Sequence, residues 1–271
     1  MLAEWLERVW NTCPYYLRDM GCVREMLGVR RRWRRFRRDW EPHCQRTKEL
    51  ILSAMNRCSR KRHALILGSG WLHDVPLHEL AQRFHKVTLV DLYHPRQVRS
   101  LTRSLPNVRL IPEDVTGVLE QVWRLGFEPT SDLPMSRPNL FREDPDLDLT
   151  VSLNLLSQLP CLPERHLLAG CAIAPENVRT FCRHLVDAQL DYLHSLPGVV
   201  ALLTDTELRT FNRNGKEIAR KSTLYGLELP LEGERWDWVL APRLESWPHH
   251  REVLSVTAIV DLKTAKRTPH P

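Results

Sequence analysis

The stretch that decides the fold runs from His63 to Asp91 and reads HALILGSGWLHDVPLHELAQRFHKVTLVD. An apolar run stops at Gly68-Ser69-Gly70, an amphipathic stretch of helical length follows, and a second apolar run, 87–90, ends on Asp91. This order predicts a strand, a glycine turn, a helix, a second strand and a carboxylate. Glycines after a buried strand let backbone N–H groups approach a ligand, and an acid that closes the next strand can hold ribose hydroxyls. The stretch therefore predicts a crevice for a nucleoside-containing ligand.

Strands and helices continue to alternate after this unit. The patterns predict helices at about 95–105, 116–126 and 175–195, and strands at 107–112, 148–156 and 198–204. Such alternation is typical of a doubly wound parallel sheet, and right-handed crossovers place the carboxyl ends of all its strands at one edge. We therefore expect the glycine turn, Asp91 and Asp114, which follows the third strand, to lie together at that edge.

The C-terminal part of the chain has a different pattern. The tetrapeptide NRNG at 212–215 is a hairpin turn signal. Two later apolar runs, 235–241 and 253–262, are joined by a connector too short for a parallel crossover, so they predict an antiparallel pair. The predicted fold class is α/β, a doubly wound, mostly parallel sheet with a C-terminal antiparallel strand pair and an N-terminal helical extension. The predicted units are an extension at 1–62, a main domain at 63–262 and a disordered tail at 263–271.

The N-terminal extension carries the basic character of the chain. Residues 1–62 hold 16 Lys and Arg against 7 Asp and Glu. Their apolar spacing predicts helices at about 2–11, 14–40 and 42–58, with possible breaks at Gly21 and Gly28 and an opening near Pro42. The run Arg30 to Arg38, RRRWRRFRR, is a possible RNA-binding patch because arginine neutralises phosphates and aromatic rings stack on bases.

A packing interpretation competes with the nucleic-acid interpretation of this run. Val29, Trp33, Phe36 and Trp40 follow a 4-3-4 spacing, which places them on one helix face. The arginines would then form the solvated flanks of a packed helix. We expect the packing interpretation to hold for the aromatic residues.

Cysteine spacing and hydropathy limit the class of protein. The chain has 7 cysteines, an odd number without a CxxC pair or a metal-type spacing, which predicts reduced thiols, no metal site and a cytoplasmic location. No apolar run approaches the roughly 18 residues that a membrane span requires, so no membrane partner is expected. Oligomeric state is not indicated by the sequence.

Two segments without clear periodicity connect the predicted elements. Residues 127–147 are rich in Pro, Asp and Ser, and they connect a helix to a strand, which predicts a surface insertion at the edge away from the crevice. Residues 157–175 follow the fourth strand, so they are expected to form a substrate loop at the ligand-facing edge.

The order of these motifs resembles the class I S-adenosylmethionine-dependent methyltransferases. The resemblance covers about 63–262 and implies S-adenosylmethionine as cofactor. It implies that Gly68, Ser69 and Gly70 pass beneath the methionine part of the cofactor and that Asp91 holds the ribose hydroxyls. It further implies that Asp114 and the Val115 backbone read the adenine, and that Leu153 and Asn154 border the transferred methyl group.

The sequence departs from the family pattern at three places. Ile66 stands where the family usually has an acid, and Leu72 stands where it has a third glycine. The NPPY-type tetrapeptide of amino-directed DNA enzymes is also absent, because the chain reads Asn154-Leu155-Leu156-Ser157. These departures favour a methyl acceptor other than a DNA amino group, and they leave open a fold that no longer catalyses.

Methyl transfer requires a general base only when the nucleophile must lose a proton. The histidines that follow predicted strands are His73, His94 and His166, and His166 is the preferred candidate because the strand-four exit borders the methyl group. We expect Asn154 to lie beside the reacting groups as well. Asp74 is interpreted as the N-cap of the helix that contains Pro76.

Three function classes remain open at this point. The first is methyl transfer to a small molecule or an RNA, with a small molecule preferred. The second is a catalytically degenerate methyltransferase-fold binding protein. The third is a nicotinamide-dependent oxidoreductase, for which a third glycine is expected where His73 stands.

Overall fold

A computed structural model of the chain describes residues 13–126, 132–170, 173–229, 232–246 and 250–265. The helix expected at 2–11, Cys171 and most of the expected tail lie outside the described residues. The six cysteines within the described ranges are free thiols.

An eight-stranded sheet forms the centre of the molecule. Its strands are β1 (His63–Leu67), β2 (Lys86–Asp91), β3 (Val108–Pro112), β4 (Leu147–Leu153), β5 (Val199–Phe211), β6 (Glu217–Ser222), β7 (Glu234–Ser246) and β8 (His250–Ile259). The order is β3-β2-β1-β4-β5-β8-β7, with β6 paired to the outer part of β5. Strands β1 to β5 are parallel to one another, whereas β6, β7 and β8 pair antiparallel. The predicted fold class is confirmed.

Helices cover both faces of the sheet. They are α1 (Tyr15–Asp19), α2 (Cys22–Arg57), α3 (Leu77–Arg83), α4 (Arg96–Thr102), α5 (Leu119–Arg124), α6 (Cys161–Gly170) and α7 (Pro175–Ser195). Side chains of β1 alternate between the faces: Ala64 and Ile66 pack with the second half of α2, and Leu65 and Leu67 pack with α7. Because both faces are buried, β1 is apolar from Ala64 to Leu67. Within the described ranges, no helix has the length and apolar character to cross a membrane.

Helix α2 is longer than the sequence predicts. It begins after Gly21, which has φ +89°, and it continues through Gly28, so the predicted break at Gly28 is wrong. Two helical halves are present, but the kink between them lies at Phe36 and not at the predicted opening near Pro42. A distortion at Phe36, with φ −118° and ψ 29°, lies less than two turns before Pro42. Packing of the second half against the sheet, through Ile51, outweighs the hydrogen bond that the proline removes.

Strand β5 also continues beyond the predicted end. The sequence predicts an exit into the crevice at Asp205, but the strand runs to Phe211 because β8 and β6 pair with its outer half. The hairpin turn at 212–215 is confirmed, since Asn212 N–H donates to the carbonyl of Lys216 at 2.9 Å. The segment expected as a substrate loop after β4 instead contains helix α6.

Candidate functional site

The turn after β1 brings its two glycines into different surroundings. Gly68 has φ +77°, and a Cβ there would lie 2.7 Å from the carbonyl oxygen of Leu153, so the end of β4 packs directly on this residue. Gly70 has φ +51°, and a Cβ there would meet no atom within 4 Å. The turn is therefore closed against β4 at Gly68 and open at Gly70.

Asp91 lies beside this open position. Its Oδ2 accepts a hydrogen bond from the Gly70 N–H at 2.8 Å, which joins the end of β2 to the turn after β1. Burial raises the pKa of Asp91, while the Gly70 N–H and His94 act in the opposite direction. A carboxylate has several acceptor positions on its two oxygens, so it can also accept hydrogen bonds from ligand hydroxyls. The structure thus brings Gly70 and Asp91 together.

Asp114 follows β3, whose end is adjacent to Asp91 through a hydrogen bond of 2.9 Å from the Glu113 N–H to the Asp91 carbonyl. Its Oδ1 accepts from the Thr116 N–H and hydroxyl at 2.9 and 2.6 Å, and its Oδ2 accepts from the Leu119 N–H at 2.9 Å. The Asp114 side chain therefore orders the loop that leads into α5. Val115 beside it is buried.

The end of β4 completes the edge. Asn154 has φ +47°, and its backbone N–H donates to the Leu203 carbonyl at 2.8 Å. Its side chain is 8% exposed and lies 3.4 Å from Nε2 of His43, a residue of α2. On the neighbouring strand, buried Asp205 accepts a hydrogen bond from the Ser157 hydroxyl at 2.7 Å. Sequence reasoning missed His43, because nothing in its local pattern distinguishes it from other residues of the helix.

Helix α2 crosses this edge of the sheet. The indole N–H of Trp71 donates to the carbonyl of Met26 at 2.9 Å, and the Arg30 guanidinium lies 4.9 Å from the centre of the Trp71 ring. The rings of Trp33 and His73 stack with centroids 4.2 Å apart. Helix α2 therefore packs on the segment that directly follows the Gly68–Gly70 turn.

Several polar atoms at this edge have no hydrogen-bond partner among the described residues. They include the Ser69 hydroxyl, Asn154 Oδ1 and His73 Nε2, all of which are buried. A buried polar atom without a partner is energetically costly, and it is commonly paired by water or a ligand. At the carboxyl edge, these three atoms are available to water or a ligand.

The candidate bases are all in contact with other parts of the protein. His166 Nε2 lies 3.1 Å from the Trp123 carbonyl, where α6 packs on the last turn of α5. His94 Nε2 lies 3.1 Å from the Ile111 carbonyl, and burial lowers the pKa of His73 to about 4. Helix α5 runs from the carboxyl edge toward the amino edge, so the structure does not bring His166 together with Asn154 in any described contact. The function of His166 as a base stays a prediction.

Asp74 does not have the predicted capping role. Helix α3 has Pro76 at its N-cap, without a side-chain cap hydrogen bond. Burial instead raises the pKa of Asp74 to about 6, with Lys48 acting in the opposite direction. Proline fills the cap because its fixed φ suits the entry into a helix.

A cavity of about 400 Å³ lies between residues 132–136 and helix α7. Its lining includes Phe181 and Leu185 of α7 and Met135 of the connecting segment. The segment predicted as a surface insertion contacts the domain at both ends: the Ser136 hydroxyl donates to the Thr116 carbonyl, and Asp144 contacts His63. The prediction that this segment lies at the edge away from the crevice is therefore wrong at Ser136, which contacts the loop that follows β3.

The arginine run and its aromatic residues occupy different faces of α2. Trp40 is 4% exposed and donates its indole N–H to the Leu240 carbonyl at 3.1 Å, which confirms packing of this face. Val29, Trp33 and Phe36 are partly buried. The side chains of Arg24, Arg31, Arg34 and Arg38 are exposed. The structure therefore separates a packed aromatic face from an exposed basic face.

No protein-family model matches the chain, and no curated protein matches its sequence. Among solved structures, it is similar to the N-methyltransferase NodS from Bradyrhizobium japonicum WM9 in complex with S-adenosyl-L-homocysteine. That match has 14% identity and a TM-score of 0.35, and it covers 94% of this chain and 96% of that one. A second is the 1,6-didemethyltoxoflavin-N1-methyltransferase of Burkholderia thailandensis, with 16% identity and a TM-score of 0.34. This match covers 86% of this chain and 89% of that one.

A third similar structure is the 23S rRNA methyltransferase ErmE, with 9% identity and a TM-score of 0.30. This match covers 81% of this chain and 71% of that one. What this chain does has to be inferred from its own residues and contacts.

Proposed function

We propose that this protein binds S-adenosylmethionine at the carboxyl edge of its sheet and transfers the methyl group to an acceptor. The observation that carries the proposal is the contact between Gly70 and Asp91 beside an open position, where a Cβ would meet no atom within 4 Å. An acid at the end of the second strand, next to a glycine turn, suits the ribose of a nucleoside. The Ser69 hydroxyl and Asn154 Oδ1, which have no hydrogen-bond partner among the described residues, would supply further polar contacts.

The residues fit the cofactor in chemical type and position. Asp91 would accept from the ribose hydroxyls, the Gly68–Gly70 turn would pass beneath the methionine part, and Asp114 with Val115 would border the adenine. Leu153 and Asn154 would border the methyl group. The cofactor, when bound, supplies a methyl group activated by a sulfonium.

The chain itself contributes alignment and exclusion of water. Helix α2 and the edge strands enclose the side of the site that holds Trp71, His73 and Asn154, and enclosure of this kind replaces solvent by fixed contacts. Among the described residues, the histidine in contact with the Asn154 side chain is His43, and both of its ring nitrogens have partners within the protein. His43 is neutral because burial lowers its pKa to about 3. We therefore favour an acceptor atom that attacks without prior deprotonation.

Calorimetry with S-adenosylhomocysteine and S-adenosylmethionine tests the proposal. We expect micromolar binding of at least one of them and no detectable binding by Asp91→Ala. Asp91→Asn, which keeps an acceptor for the Gly70 N–H, should retain the fold but weaken binding by about 30-fold, because a charge-assisted hydrogen bond contributes about 2 kcal/mol. Asp148→Asn, at the opposite edge, is the matched control and should bind like the wild type.

Other outcomes of this titration favour the alternatives. Binding of NADH in place of both adenosyl compounds would favour an oxidoreductase. Binding of S-adenosylhomocysteine without turnover of any acceptor would favour the degenerate binding protein. If none of the three compounds binds, the proposal is overturned. His166→Ala tests the predicted base, because loss of turnover with unchanged cofactor binding would assign that role.

We propose a small molecule as the acceptor, with RNA as the second candidate. The observation that favours RNA is the exposed arginine face of α2, on the helix that crosses the candidate site. Arg24 and Arg31, both before the distortion at Phe36, are spaced by seven residues, so they share one face over about 10 Å at 1.5 Å per residue. A cytoplasmic location, expected from the cysteine pattern, agrees with either acceptor.

Salt dependence distinguishes the two acceptors. If the arginine face contacts RNA, the affinity for a single-stranded RNA should fall steeply with salt, and Arg34→Gln with Arg38→Gln should reduce the slope by about 0.7 per lost phosphate contact. Arg179→Gln with Arg183→Gln on α7, also exposed and four residues apart, is the matched control. A flat salt response, or an equal effect of both pairs, would remove RNA as an acceptor.

A further inference from the structure

A chain of hydrogen bonds connects strand β7 to the end of β4 through helix α2. The indole N–H of Trp236 donates to Nδ1 of His43 at 3.1 Å, and Nε2 of His43 lies 3.4 Å from the side-chain amide of Asn154. All three residues are buried, with exposures of 9%, 3% and 8%. The imidazole also stacks on Trp238, with centroids 4.0 Å apart and planes 4° apart. The position of the ring is thus defined on its face and at both nitrogens.

The chemistry of these groups defines the tautomer of His43. An indole N–H can only donate, so Nδ1 must carry a lone pair. Burial lowers the pKa of His43 to about 3, so the ring is neutral near pH 7. A neutral imidazole with an accepting Nδ1 carries its proton on Nε2. His43 therefore offers a donor, not an acceptor, to Asn154.

The amide of Asn154 must then present its oxygen to His43. Oδ1 is the acceptor of an amide, and it has no other hydrogen-bond partner among the described residues. Amide oxygen and nitrogen are assigned from their hydrogen-bond partners, and a half-turn about Cβ–Cγ exchanges them. With Oδ1 on the Nε2–H of His43, the Nδ2 group occupies the position that Oδ1 leaves, and it can act there only as a donor.

We propose that His43 is a positioning residue that fixes the Asn154 amide as a hydrogen-bond donor toward the ligand. The group that meets Asn154 is then a hydrogen-bond acceptor, such as a carboxylate, a carbonyl or an unprotonated ring nitrogen, and not an ammonium or amino group. The backbone of Asn154 supports this role, because its N–H is already held by the Leu203 carbonyl at 2.8 Å. This inference rests on the proposed function only for the identity of the ligand, since the tautomer follows from the protein alone.

The tautomer is measured in the free protein by nitrogen-15 NMR with labelled histidine. We expect His43, identified by loss of its signals in His43→Phe, to show Nδ1 as the unprotonated nitrogen and Nε2 as the protonated one near pH 7. A protonated Nδ1 would overturn the proposal. Because no ligand is added, this result is independent of whether the protein binds an adenosyl compound.

The donor role is tested by calorimetry with S-adenosylhomocysteine. Asn154→Asp keeps an acceptor for His43 but removes the donors, so it should weaken binding at least about tenfold by loss of a hydrogen bond to the ligand. His43→Phe keeps the stacking on Trp238 and should weaken binding about fivefold. His43→Gln, whose amide both accepts and donates, should restore part of that loss.

His63→Phe is the matched control, because His63 is a buried, doubly hydrogen-bonded histidine at the opposite edge of the sheet. It should leave binding unchanged within about twofold. Wild-type affinity in Asn154→Asp, or equal losses in His43→Phe and His63→Phe, would overturn the donor role. If the wild type does not bind the probe, the proposed function fails, and the NMR result still decides the tautomer.

Discussion

At the amino edge of the sheet, polar side chains are paired within the protein, whereas at the carboxyl edge several are not. His63 contacts Asp144 at 2.7 Å and the Thr88 hydroxyl at 2.8 Å, and Arg62 contacts Asp148 and Asp146, each at 2.6 Å. At the carboxyl edge, Ser69 and Asn154 retain buried atoms without partners among the described residues.

The difference separates groups that stabilise the fold from groups available to a ligand. A buried polar group with both partners adds stability, and its removal leaves the partners unpaired. A buried group without a partner lowers stability in the free protein, and it is retained where function requires it. The comparison therefore predicts opposite consequences for substitutions at the two edges.

The largest effect is expected from the two glycines of the β1 turn. Gly68→Ala should lower the free energy of unfolding by about 4 kcal/mol, because its Cβ would overlap the Leu153 carbonyl and φ is positive. In Gly70→Ala the added Cβ would meet no atom within 4 Å, so the free energy of unfolding should fall by only about 1 kcal/mol, because of the positive φ. Urea unfolding measures both, and Gly70→Ala should nevertheless lose affinity for S-adenosylhomocysteine. Equal stability of the two variants would contradict the assignment of the open position.

The amino edge is tested by His63→Ala. This change leaves the Thr88 hydroxyl and Asp144 without their partner and opens a cavity, so we expect a loss of about 3 kcal/mol in the free energy of unfolding. Affinity for the adenosyl compound should not change. A weaker affinity with retained fold would show that the two edges are coupled.

A pH-dependent stability is expected from His43. Its pKa is lowered from 6.5 to about 3 in the folded protein, so the unfolded chain binds the proton first as the pH falls. The stabilisation is complete above about pH 6.5 and is lost below it, by about 2 kcal/mol at pH 5. Burial raises the pKa of Asp74, Asp91 and Asp205. These three groups therefore stabilise the folded protein as the pH falls, which opposes the effect of His43.

The contribution of His43 is therefore measured as the difference between the wild type and His43→Phe in urea unfolding from pH 7.5 to 5. The wild type should lose about 2 kcal/mol more than the variant over this range. Parallel curves for the two proteins would show that His43 is not buried in its neutral form.

The smallest effect is expected from Ser69→Ala. Because the hydroxyl is buried without a partner among the described residues, its removal should leave stability unchanged or raise it by up to about 1 kcal/mol. Affinity for S-adenosylhomocysteine should fall by about fivefold. A destabilised variant would indicate a hydrogen bond within the protein and would weaken the contrast between the edges.

Local patterns predicted the parallel strands, the turn at Gly68–Gly70 and the closing strand pair, because buried strands and turns follow from neighbouring residues. The position of Pro42 inside helix α2 could not be predicted, since packing of the helix on the sheet stabilises it there. The role of His43 could not be predicted either, because its partners Asn154 and Trp236 are 111 and 193 residues away in the chain. Capping by Asp114 had a local signal, the threonine two residues later, which sequence reasoning did not use.

The arginines of helix α2 have a consequence for proteolysis. Trypsin cleaves after arginine and needs an extended backbone, so the Arg30–Arg38 run is protected only while the helix stays folded against Trp71 and His73. Any release of that segment from the sheet edge exposes seven adjacent cleavage positions at once. A brief digestion with and without an adenosyl compound therefore reports whether ligand entry requires the helix to detach.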